Sequence, residues 1–445
     1  MLVAAESDST VRNVAGVKSV EPNVGYQVVG PKIRTTAESF DDEYASLQWD
    51  KRSDTTGAFE AHDTVTGNGR TVAIIDTGID THHPDLRNQV ERGQLFRADG
   101  LSSPDKSPTV AGDTTIDARL PPGTAAQSDT ATDDDTVEIA PYTYLGAPDT
   151  RSQMAADDVQ SHGSHCAGIA TAKNNDTPQN GDLGVAGMAP DADVVPLRVF
   201  YWKKLTDYQY DIDDDGQEES VTVTTLFTTD FDILSAIDYA ARIGADAANM
   251  SLGGGVIKGK AHKSGDHVAY QRVIQSASQR GTVITTSAGN SSADLQHKGY
   301  FTLPNSIPGS ISVSATGPNN KRVFYSNYGT SVIDVGAPGG GYETLDKTLA
   351  DDTEWPYPFN LVYSTVPPDL NGGTAYAWYA GTSMAAPQVA GLVALIREAN
   401  PDLSANQIQS IIENTARYSN GKGDTDIGAG IIYAPDAIAE AKQRK

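Results

Sequence analysis

Short apolar runs rich in β-branched residues alternate along the chain with segments of helical periodicity. The run 71–75 follows the turn signal Gly67-Asn68-Gly69 and is apolar after Thr71, which predicts a central parallel strand buried on both faces. Further strands are predicted at 194–200, 247–252, 282–286, 311–314 and 332–335, and helices at 230–243, 266–280, 404–415 and 432–442. This alternation predicts an α/β fold of three layers (α/β/α), in which helices cover both faces of a mainly parallel central sheet.

Three stretches interrupt this alternation. Residues 88–160 are polar and rich in Asp, Thr, Ser and Pro, so we expect loops there with at most a short hairpin. Residues 201–228 contain an acidic run. Residues 340–378 are rich in aromatic side chains, which predict either a small satellite core or one wall of a substrate cleft. We treat these stretches as insertions in a single domain that covers residues 36–445.

The composition excludes several classes of protein. The 445 residues carry a formal net charge of −25, which argues against a nucleic-acid partner because phosphates need Lys and Arg. No run of 18 apolar residues is present, so we expect no membrane-spanning helix and no membrane partner. The single cysteine, Cys166, excludes an intrachain disulfide framework. The acidic excess fits bound cations, a high-salt habitat or solubility alone.

A serine between small residues opens a further helical pattern near the end of the chain. Gly381-Thr382-Ser383-Met384 precedes a run of small and apolar residues that predicts a buried helix. The free N–H groups and the positive dipole end of a helix N-terminus favour a developing oxyanion. A serine at this place is also a common helix cap, so any chemistry depends on partners elsewhere.

Two upstream segments contain candidate partners. Asp76-Thr77-Gly78 follows the strand predicted at 71–75, at the edge where open α/β sheets bind ligands. Aspartic proteases also use Asp-Thr-Gly, but they need two copies and the chain has one. His162-Gly163-Ser164-His165 opens a predicted helix, with His162 as a candidate general base and His165 as a structural residue. The two histidines could alternatively be a metal pair. The chain order aspartate, histidine, serine fits a nucleophilic triad.

These segments, together with Ser287-Ala288-Gly289-Asn290, resemble the motifs of subtilisin-like serine proteases (subtilases). The resemblance covers about residues 42–443, interrupted by the three insertions. It implies a subtilisin-like fold and serine endopeptidase activity. It further implies Ser383 as nucleophile, His162 as general base, Asp76 as the carboxylate that orients the histidine, and Asn290 as a donor to the oxyanion.

The resemblance also implies a cleft for polypeptide substrates. Ser251, Leu252, Gly253 and Gly254 match the strand that pairs with an extended substrate and forms one wall of the main specificity pocket. Ser287, Ala288 and Gly289 match the other wall. Small walls without an assignable acidic floor predict broad specificity, with a preference for large apolar or aromatic side chains before the cleaved bond. A preference for basic side chains stays open, because an acidic insertion could supply a carboxylate.

Structural calcium is predicted, and no organic cofactor. Asp211, Asp213 and Asp215 precede a glycine as at the start of a calcium loop, but Thr222 stands where the EF-hand pattern needs glutamate. A solvated acidic loop is the alternative. The resemblance implies a second calcium site with Gln48, Asp85 and Asn175 as ligands, although the segment 174–183 is longer than the compact family pattern.

Two further positions depart from the common family pattern. Gln388 stands where many members have a histidine, and we expect it to be structural. Cys166 directly follows His165 and resembles the thiol-bearing branch of the family, and we assign it no chemistry.

Residues 1–35 resemble the C-terminal part of a propeptide plus a linker, and a propeptide of this family acts as an intramolecular inhibitor. An ordinary N-terminal strand is the alternative. The first residues lack the basic and apolar segments of a signal peptide, so we expect either an intracellular protein or an extracellular one made as a longer precursor. We favour the extracellular monomer. The competing hypothesis is a catalytically silent, calcium-stabilised binding protein on a subtilase scaffold.

Overall fold

The computed structural model describes residues 44–91, 93–96, 129–130, 152–153, 156–174, 184–210, 219–253, 256–258, 266–297, 300–350, 360–418 and 423–444. Several predictions fall outside these ranges: the propeptide segment 1–35, the wall residue Gly254, and the calcium ligands Asn175, Asp211, Asp213 and Asp215.

The described strands and helices follow the predicted alternation. In chain order the strands are β1 (Thr71–Asp76), β2 (Gln94–Leu95), β3 (Asp129–Thr130), β4 (Ser152–Gln153), β5 (Asp193–Arg198), β6 (Tyr201–Tyr210), β7 (Glu219–Phe227), β8 (Ala247–Met250), β9 (Ile257–Lys258), β10 (Val283–Ser287), β11 (Tyr300–Phe301), β12 (Ile311–Thr316), β13 (Val335–Pro338), β14 (Val362–Thr365) and β15 (Tyr376–Tyr379). The α-helices are α1 (Ala58–His62), α2 (His162–Thr171), α3 (Asp230–Arg242), α4 (Asp266–Gln279), α5 (Leu345–Leu349), α6 (Thr382–Ala399), α7 (Ala405–Thr415) and α8 (Ala434–Gln443).

A seven-stranded parallel sheet forms the centre of the molecule. Its strand order is β13-β12-β10-β8-β1-β5-β2, and each neighbouring pair within it is parallel. The pairs β3-β4, β6-β7, β9-β11 and β14-β15 are antiparallel and lie outside this sheet. The predicted α/β fold with a mainly parallel sheet is therefore confirmed.

Side chains of β1 alternate between two cores. Val72 and Ile74 pack with residues of α2, α6, α7 and α8, whereas Ala73 and Ile75 pack with residues of α3 and α4. All four side chains are fully buried. Because both faces of the sheet are covered, β1 has the continuous apolar pattern of a central parallel strand.

Helix α6 explains the long apolar run that follows the predicted serine. Every residue from Thr382 to Arg397 is buried, and the helix packs on β1, β8, β10, β12 and β13. A helix that is covered on all sides needs no polar face. Among the described helices, none combines the length and apolar character needed to cross a membrane.

The second insertion contains a hairpin that the sequence analysis did not predict. Tyr201–Tyr210 and Glu219–Phe227 pair as a long antiparallel hairpin, so the acidic run falls between two strands. The segment Ser220-Val221-Thr222-Val223-Thr224 consists mostly of β-branched residues, which favour a strand. The acidic composition of the insertion obscured this signal.

The strand predicted at 332–335 is placed three residues too early in the chain, because β13 begins at Val335 and continues through Pro338. Glycine and proline are uncommon inside strands, so a predicted strand is normally ended before them. Here β13 is at the edge of the sheet and pairs only with β12 there, so the missing N–H of Pro338 costs no central ladder bond.

Aromatic residues of the third insertion pack against one another. The ring of Tyr363 is 4.5 Å from that of Trp378, and the ring of Tyr376 is 5.2 Å from that of Tyr44. Tyr363, Tyr376 and Trp378 belong to the hairpin β14-β15. The described part of this insertion therefore forms a satellite core.

Candidate active site

Asp76 and His162 form a buried pair at the carboxyl edge of the sheet. Asp76 is the last residue of β1, and His162 is the first residue of α2. The His162 Nδ1–H donates to Asp76, with Nδ1 2.8 Å from Oδ1 and 3.0 Å from Oδ2. The Thr77 amide also donates to Asp76 Oδ1 at 2.8 Å and helps to fix the carboxylate. This arrangement leaves Nε2 as the ring nitrogen suited to proton transfer.

The environment favours the charged form of His162. Burial disfavours an imidazolium, but the adjacent Asp76 carboxylate outweighs burial, so the pKa of His162 is raised well above the ordinary value of 6.5. His165 is different, because burial lowers its pKa to about 3. Its Nε2–H donates to Ala377 O at 3.1 Å, and its ring stacks on Tyr379 at 4.3 Å. The two histidines thus have separate protein partners, which favours one general base and one structural residue over a metal pair.

Ser383 is the second residue of α6 and is bonded to the segment after β8. Its Oγ donates to Ser251 O at 3.2 Å, and Ser251 Oγ donates to Ser383 O at 2.7 Å. The Cys166 thiol donates to Ser383 O at 3.4 Å and lies 4.0 Å from His162 Nδ1. Burial raises the pKa of Cys166, so it stays a neutral thiol. Cys166 therefore connects the two helices that carry His162 and Ser383.

Asn290 lies beside Ser383 with its amide in a fixed orientation. Its Oδ1 accepts from both the backbone N and the Oγ1 of Thr382, at 2.9 Å each. Thr382 Oγ1 in turn accepts from the Gly289 amide at 3.0 Å. A Cβ at Gly381 would be 3.5 Å from Asn290 Nδ2 and 3.6 Å from Ser383 N. The Asn290 amide nitrogen and the Ser383 backbone nitrogen therefore both lie within 4 Å of the point where a side chain on residue 381 would begin.

The two predicted pocket walls continue from neighbouring strands. β8 and β10 pair in parallel up to Met250 and Thr286. Ser251, Leu252 and Gly253 then follow β8, and Ala288 and Gly289 follow Ser287 at the end of β10. Of these residues, Ser251 bonds to Ser383, and Gly289 bonds to Thr382 beside it.

Asp158 is a site residue that the sequence analysis missed. Its Oδ1 accepts from Thr77 Oγ1 at 2.7 Å and from the amides of Gln160 and Ser161 at 2.8 Å each. Its Oδ2 accepts from the amide and hydroxyl of Ser164, at 2.8 and 2.6 Å. These bonds join the segment after Asp76 to the first turn of α2. The signal was available, since an aspartate shortly before a helix commonly satisfies its free N–H groups.

The described ligands of the second predicted calcium site bind protein donors. Gln48 Oε1 accepts from Ala186 N at 2.9 Å, and Gln48 Nε2 donates to Ala186 O at 2.8 Å. Asp85 Oδ2 accepts from Val185 N and from the Tyr376 hydroxyl, at 3.0 Å each. Gln48 Oε1 and Asp85 Oδ2 thus already accept hydrogen bonds from the protein, and a calcium site with these residues and Asn175 stays a prediction. No chemical step is assigned to calcium here.

Gln388 belongs to a buried polar cluster on α6, which accounts for its departure from the family pattern. Its Oε1 accepts from Lys51 Nζ at 2.5 Å, and its Nε2 donates to Asp50 Oδ2 at 2.7 Å. Lys51 Nζ also donates to Asp50 Oδ2 at 2.9 Å and to Ile169 O on α2 at 3.2 Å. Gln388 thus has the structural role expected of it.

The class of protein follows from the sequence as a whole as well as from the site. The model of the subtilase family (peptidase S8) matches residues 67–430, and the chain belongs to this family. An extracellular protease of Xanthomonas campestris is 30% identical over 98% of this chain and 62% of its own length. Thermitase of Thermoactinomyces vulgaris is 28% identical over 82% of this chain and 87% of its own. The chain thus spans less than two thirds of the Xanthomonas relative.

A solved structure supports the same grouping. A protease from Pseudoalteromonas arctica superposes with a TM-score of 0.60 at 29% identity, over 91% of this chain and all of the other.

Proposed function

We propose that this chain is a serine endopeptidase that cleaves polypeptides through an acyl-enzyme. The observation that carries the proposal is the bond between His162 Nδ1 and Asp76, 2.8 Å long, at the sheet edge where α6 begins with Thr382 and Ser383. Membership of the subtilase family and relatives that are named as proteases support it.

In the first half of the reaction, Ser383 Oγ attacks the carbonyl carbon of the substrate while its proton passes to His162 Nε2. Asp76 holds Nδ1–H in place and stabilises the imidazolium that forms. His162 then donates the proton to the leaving amine, the C–N bond breaks, and the acyl group stays on Ser383. In the second half, water attacks the acyl carbonyl carbon while His162 Nε2 takes its proton. The bond to Ser383 Oγ then breaks, the carboxylic acid leaves and Ser383 regains its proton from His162.

The charge that develops on the carbonyl oxygen is taken up by Asn290 Nδ2 and by the backbone N–H of Ser383. Because Thr382 holds Asn290 Oδ1 with two bonds of 2.9 Å, the amide needs no reorientation during the reaction. Thr382 is therefore a positioning residue for Asn290.

An extended substrate binds by strand addition along Ser251, Leu252 and Gly253, with the side chain before the cleaved bond between the two walls. We propose broad specificity with a preference for large apolar residues, because the wall residues are small. The net charge of −25 makes nucleic acid an unsuitable partner.

The inhibition of the proposed protease, its compartment and its calcium binding are proposed from the sequence and from the relatives. The segment 1–35 is proposed to act as an intramolecular inhibitor of a monomer made as a zymogen. The name of the Xanthomonas relative, an extracellular protease, supports an extracellular setting. Calcium binding stays a prediction for the acidic segment 211–218 and the loop 175–183, which lie outside the described residues.

A fluorophosphonate probe tests the proposal, because it reacts only with an activated serine. The probe is expected to label the wild type and the Ser278→Ala control on α4, but not Ser383→Ala. A peptide library should be cleaved by the same two labelled proteins. Equal labelling of Ser383→Ala would contradict the assignment, and no labelling or cleavage by the wild type would favour the silent binding protein.

A further inference from the structure

An asparagine outside the motifs bonds to the backbone on both sides of Asn290. This residue, Asn327, is fully buried. Its Nδ2 donates to Ala288 O at 2.9 Å, before Asn290 in the chain. Its Oδ1 accepts from the amides of Ser291 and Ala293, which follow Asn290, at 3.1 and 2.9 Å. One side chain thus holds the loop that carries Asn290 by three hydrogen bonds.

The orientation of the Asn327 amide is determined by its partners. A backbone carbonyl can only accept and a backbone N–H can only donate, so the amide nitrogen must face Ala288 O and the amide oxygen must face the two N–H groups. Aspartate would lack the donor, and leucine would lack both the donor and the acceptor. Among side chains of this length, only asparagine makes all three bonds.

Backbone bonds hold the two chain segments side by side. Asn327 N donates to Gly289 O at 2.9 Å, and Tyr328 N donates to Ala293 O at 3.0 Å. Gly289 has a φ of 96°, in the region that favours glycine, and a Cβ there would lie 2.6 Å from Asn327 Nδ2. The residue directly before Asn290 is therefore adapted to the close approach of the Asn327 amide.

The loop buries little of its own surface after Asn290. Ser291 and Ser292 are exposed, and Asn290 and Ala293 are half-buried. Ser292 also has a φ of 49°, a left-handed conformation that is uncommon for a residue other than glycine. Exposed residues bury little apolar surface that could keep a loop in one conformation. The position of the Asn290 backbone therefore depends on hydrogen bonds, and the Asn327 side chain makes three of them.

We propose that Asn327 is a positioning residue for Asn290, and through it for the stabilisation of the oxyanion. This inference rests on the proposed endopeptidase function, in which Asn290 Nδ2 donates to the charge that develops on the substrate. Thr382 holds the side chain of Asn290, and Asn327 holds the backbone on both sides of it. Misplacement of such a group by about 1 Å can cost about 100-fold in rate. The loss of the Asn327 side chain should therefore act on the chemical step.

The first experiment measures kcat and KM of Asn327→Ala on one peptide substrate. We expect kcat to fall about 100-fold and KM to change about twofold at most, because the displaced donor acts on charge that exists only in the transition state. Asn400→Ala is the matched control. Asn400 also donates to two backbone carbonyls, but it lies just past the far end of α6, so its kcat should equal that of the wild type.

A double-mutant cycle separates positioning from a general effect on the fold. Asn290→Ala removes the donor itself. In that background Asn327→Ala should lower kcat about twofold at most, since no donor is left to position. A residue that acted only through the fold would cause the same loss with and without Asn290.

A transition-state analogue gives an independent readout. Ser383 Oγ adds to the carbonyl carbon of a peptide aldehyde, its proton passes to His162, and the former carbonyl oxygen becomes the oxyanion. The Ki of the aldehyde should rise about 100-fold in Asn327→Ala. The Ki of the corresponding peptide alcohol, which forms no oxyanion, should change about twofold at most.

Asn327→Asp provides a second variant if Asn327→Ala does not fold. Aspartate keeps the two accepting bonds and places an oxygen where the donor to Ala288 O was, so the loop is displaced only before Asn290. We expect kcat to fall about 10-fold at an unchanged KM, with no further loss in the Asn290→Ala background. If neither variant folds, Asn327 serves the fold alone and the inference is overturned.

The outcomes distinguish this inference from the function on which it depends. If the wild type is neither labelled by the fluorophosphonate nor active on peptides, the endopeptidase proposal fails and the inference fails with it. If the wild type is active but the Asn327 variants keep its kcat, raise KM instead, or lose kcat equally with and without Asn290, only the inference is overturned.

Discussion

The Thr77 hydroxyl donates to Asp158 Oδ1 at 2.7 Å, and this bond fastens the residue after Asp76 to the helix that begins with His162. Thr77 Oγ1 also accepts from the Gly163 amide at 2.9 Å. Asp76 and His162 are therefore held in two ways. One is their own hydrogen bond, and the other is the bonds of Thr77 to Asp158 and Gly163 beside it.

Asp158→Asn tests this second set of bonds. This substitution replaces one carboxylate oxygen, which accepts hydrogen bonds, by an NH2 group, which donates them. The NH2 group would face the donors of Ser164 or Thr77. We expect kcat/KM to fall about 100-fold, because the imidazole is displaced relative to Ser383. Asp157→Asn is the matched control, since Asp157 accepts from Thr81 Oγ1 outside the helix, and it should change kcat/KM by about twofold at most. A wild-type kcat for Asp158→Asn would contradict the positioning role.

Asn290→Ala should lower kcat about 100- to 1,000-fold with little change in KM, because the donor acts on charge that exists only in the transition state. Thr382→Val removes the hydroxyl that holds Asn290 Oδ1 and should give a smaller loss of the same kind. Steady-state kinetics on one peptide substrate measure both effects. A rise in KM at constant kcat would indicate a role in substrate binding.

The pH dependence of kcat/KM should follow His162. The Asp76 carboxylate raises the pKa of His162 well above 6.5 despite burial, so the protonated ring persists at neutral pH. A protonated ring cannot accept the Ser383 proton, and activity should therefore rise with pH through a midpoint above 6.5. In Asp76→Asn the midpoint should be lower, along with a large loss of activity. A wild-type midpoint below 6.5 would show that another group governs the profile.

Single and double substitutions in the cluster of Lys51, Asp50 and Gln388 should lower the free energy of unfolding by different amounts. Lys51→Met leaves the Asp50 carboxylate buried without its ammonium partner, and we expect a loss of about 3 kcal/mol or more in the free energy of unfolding. Asp50→Asn/Lys51→Met removes both charges and should be less destabilising than Lys51→Met. Chemical denaturation measures the difference. Equal losses for the two variants would mean that the charges are not coupled.

Calcium removal tests the loops outside the described residues. If those loops bind calcium in the native state, ion at 100 times its Kd stabilises the protein by about 2.7 kcal/mol, and chelation should lower the Tm. Asp211→Asn/Asp213→Asn/Asp215→Asn should then respond less to chelator than the wild type. A Tm that is constant across chelator and calcium titrations would remove the calcium prediction for both loops.

Local patterns were sufficient to predict the parts of the molecule that depend on neighbouring residues. The apolar run at 71–75 predicted a central strand, and the helix predicted at 404–415 is α7, which begins after the capping box of Ser404 and Gln407. The motifs of Asp76 and His162 predicted that these two side chains meet, and they form a bond of 2.8 Å. Each of these features has its cause in a short segment or in a family motif.

Residues that act across the fold were not predicted. The bond from the Thr77 hydroxyl to Asp158 joins two residues that only the folded sheet edge brings close, and no spacing in the chain indicates this partner. The hairpin β6-β7 was missed because its acidic connection dominated the composition. The extent of β13 depended on its edge position, which the sequence does not specify.

The elements that carry Asp76 and Ser383 lie far apart in the chain, so they are synthesised at different times. α6 packs on five strands of the sheet and carries Ser383, whereas Asp76 belongs to the first strand of the described part of the chain. Domains emerge from the ribosome N-terminal end first. A nascent chain therefore contains Asp76 and His162 before Ser383 has been made, and the proposed protease cannot act until the segment that carries Ser383 has been translated.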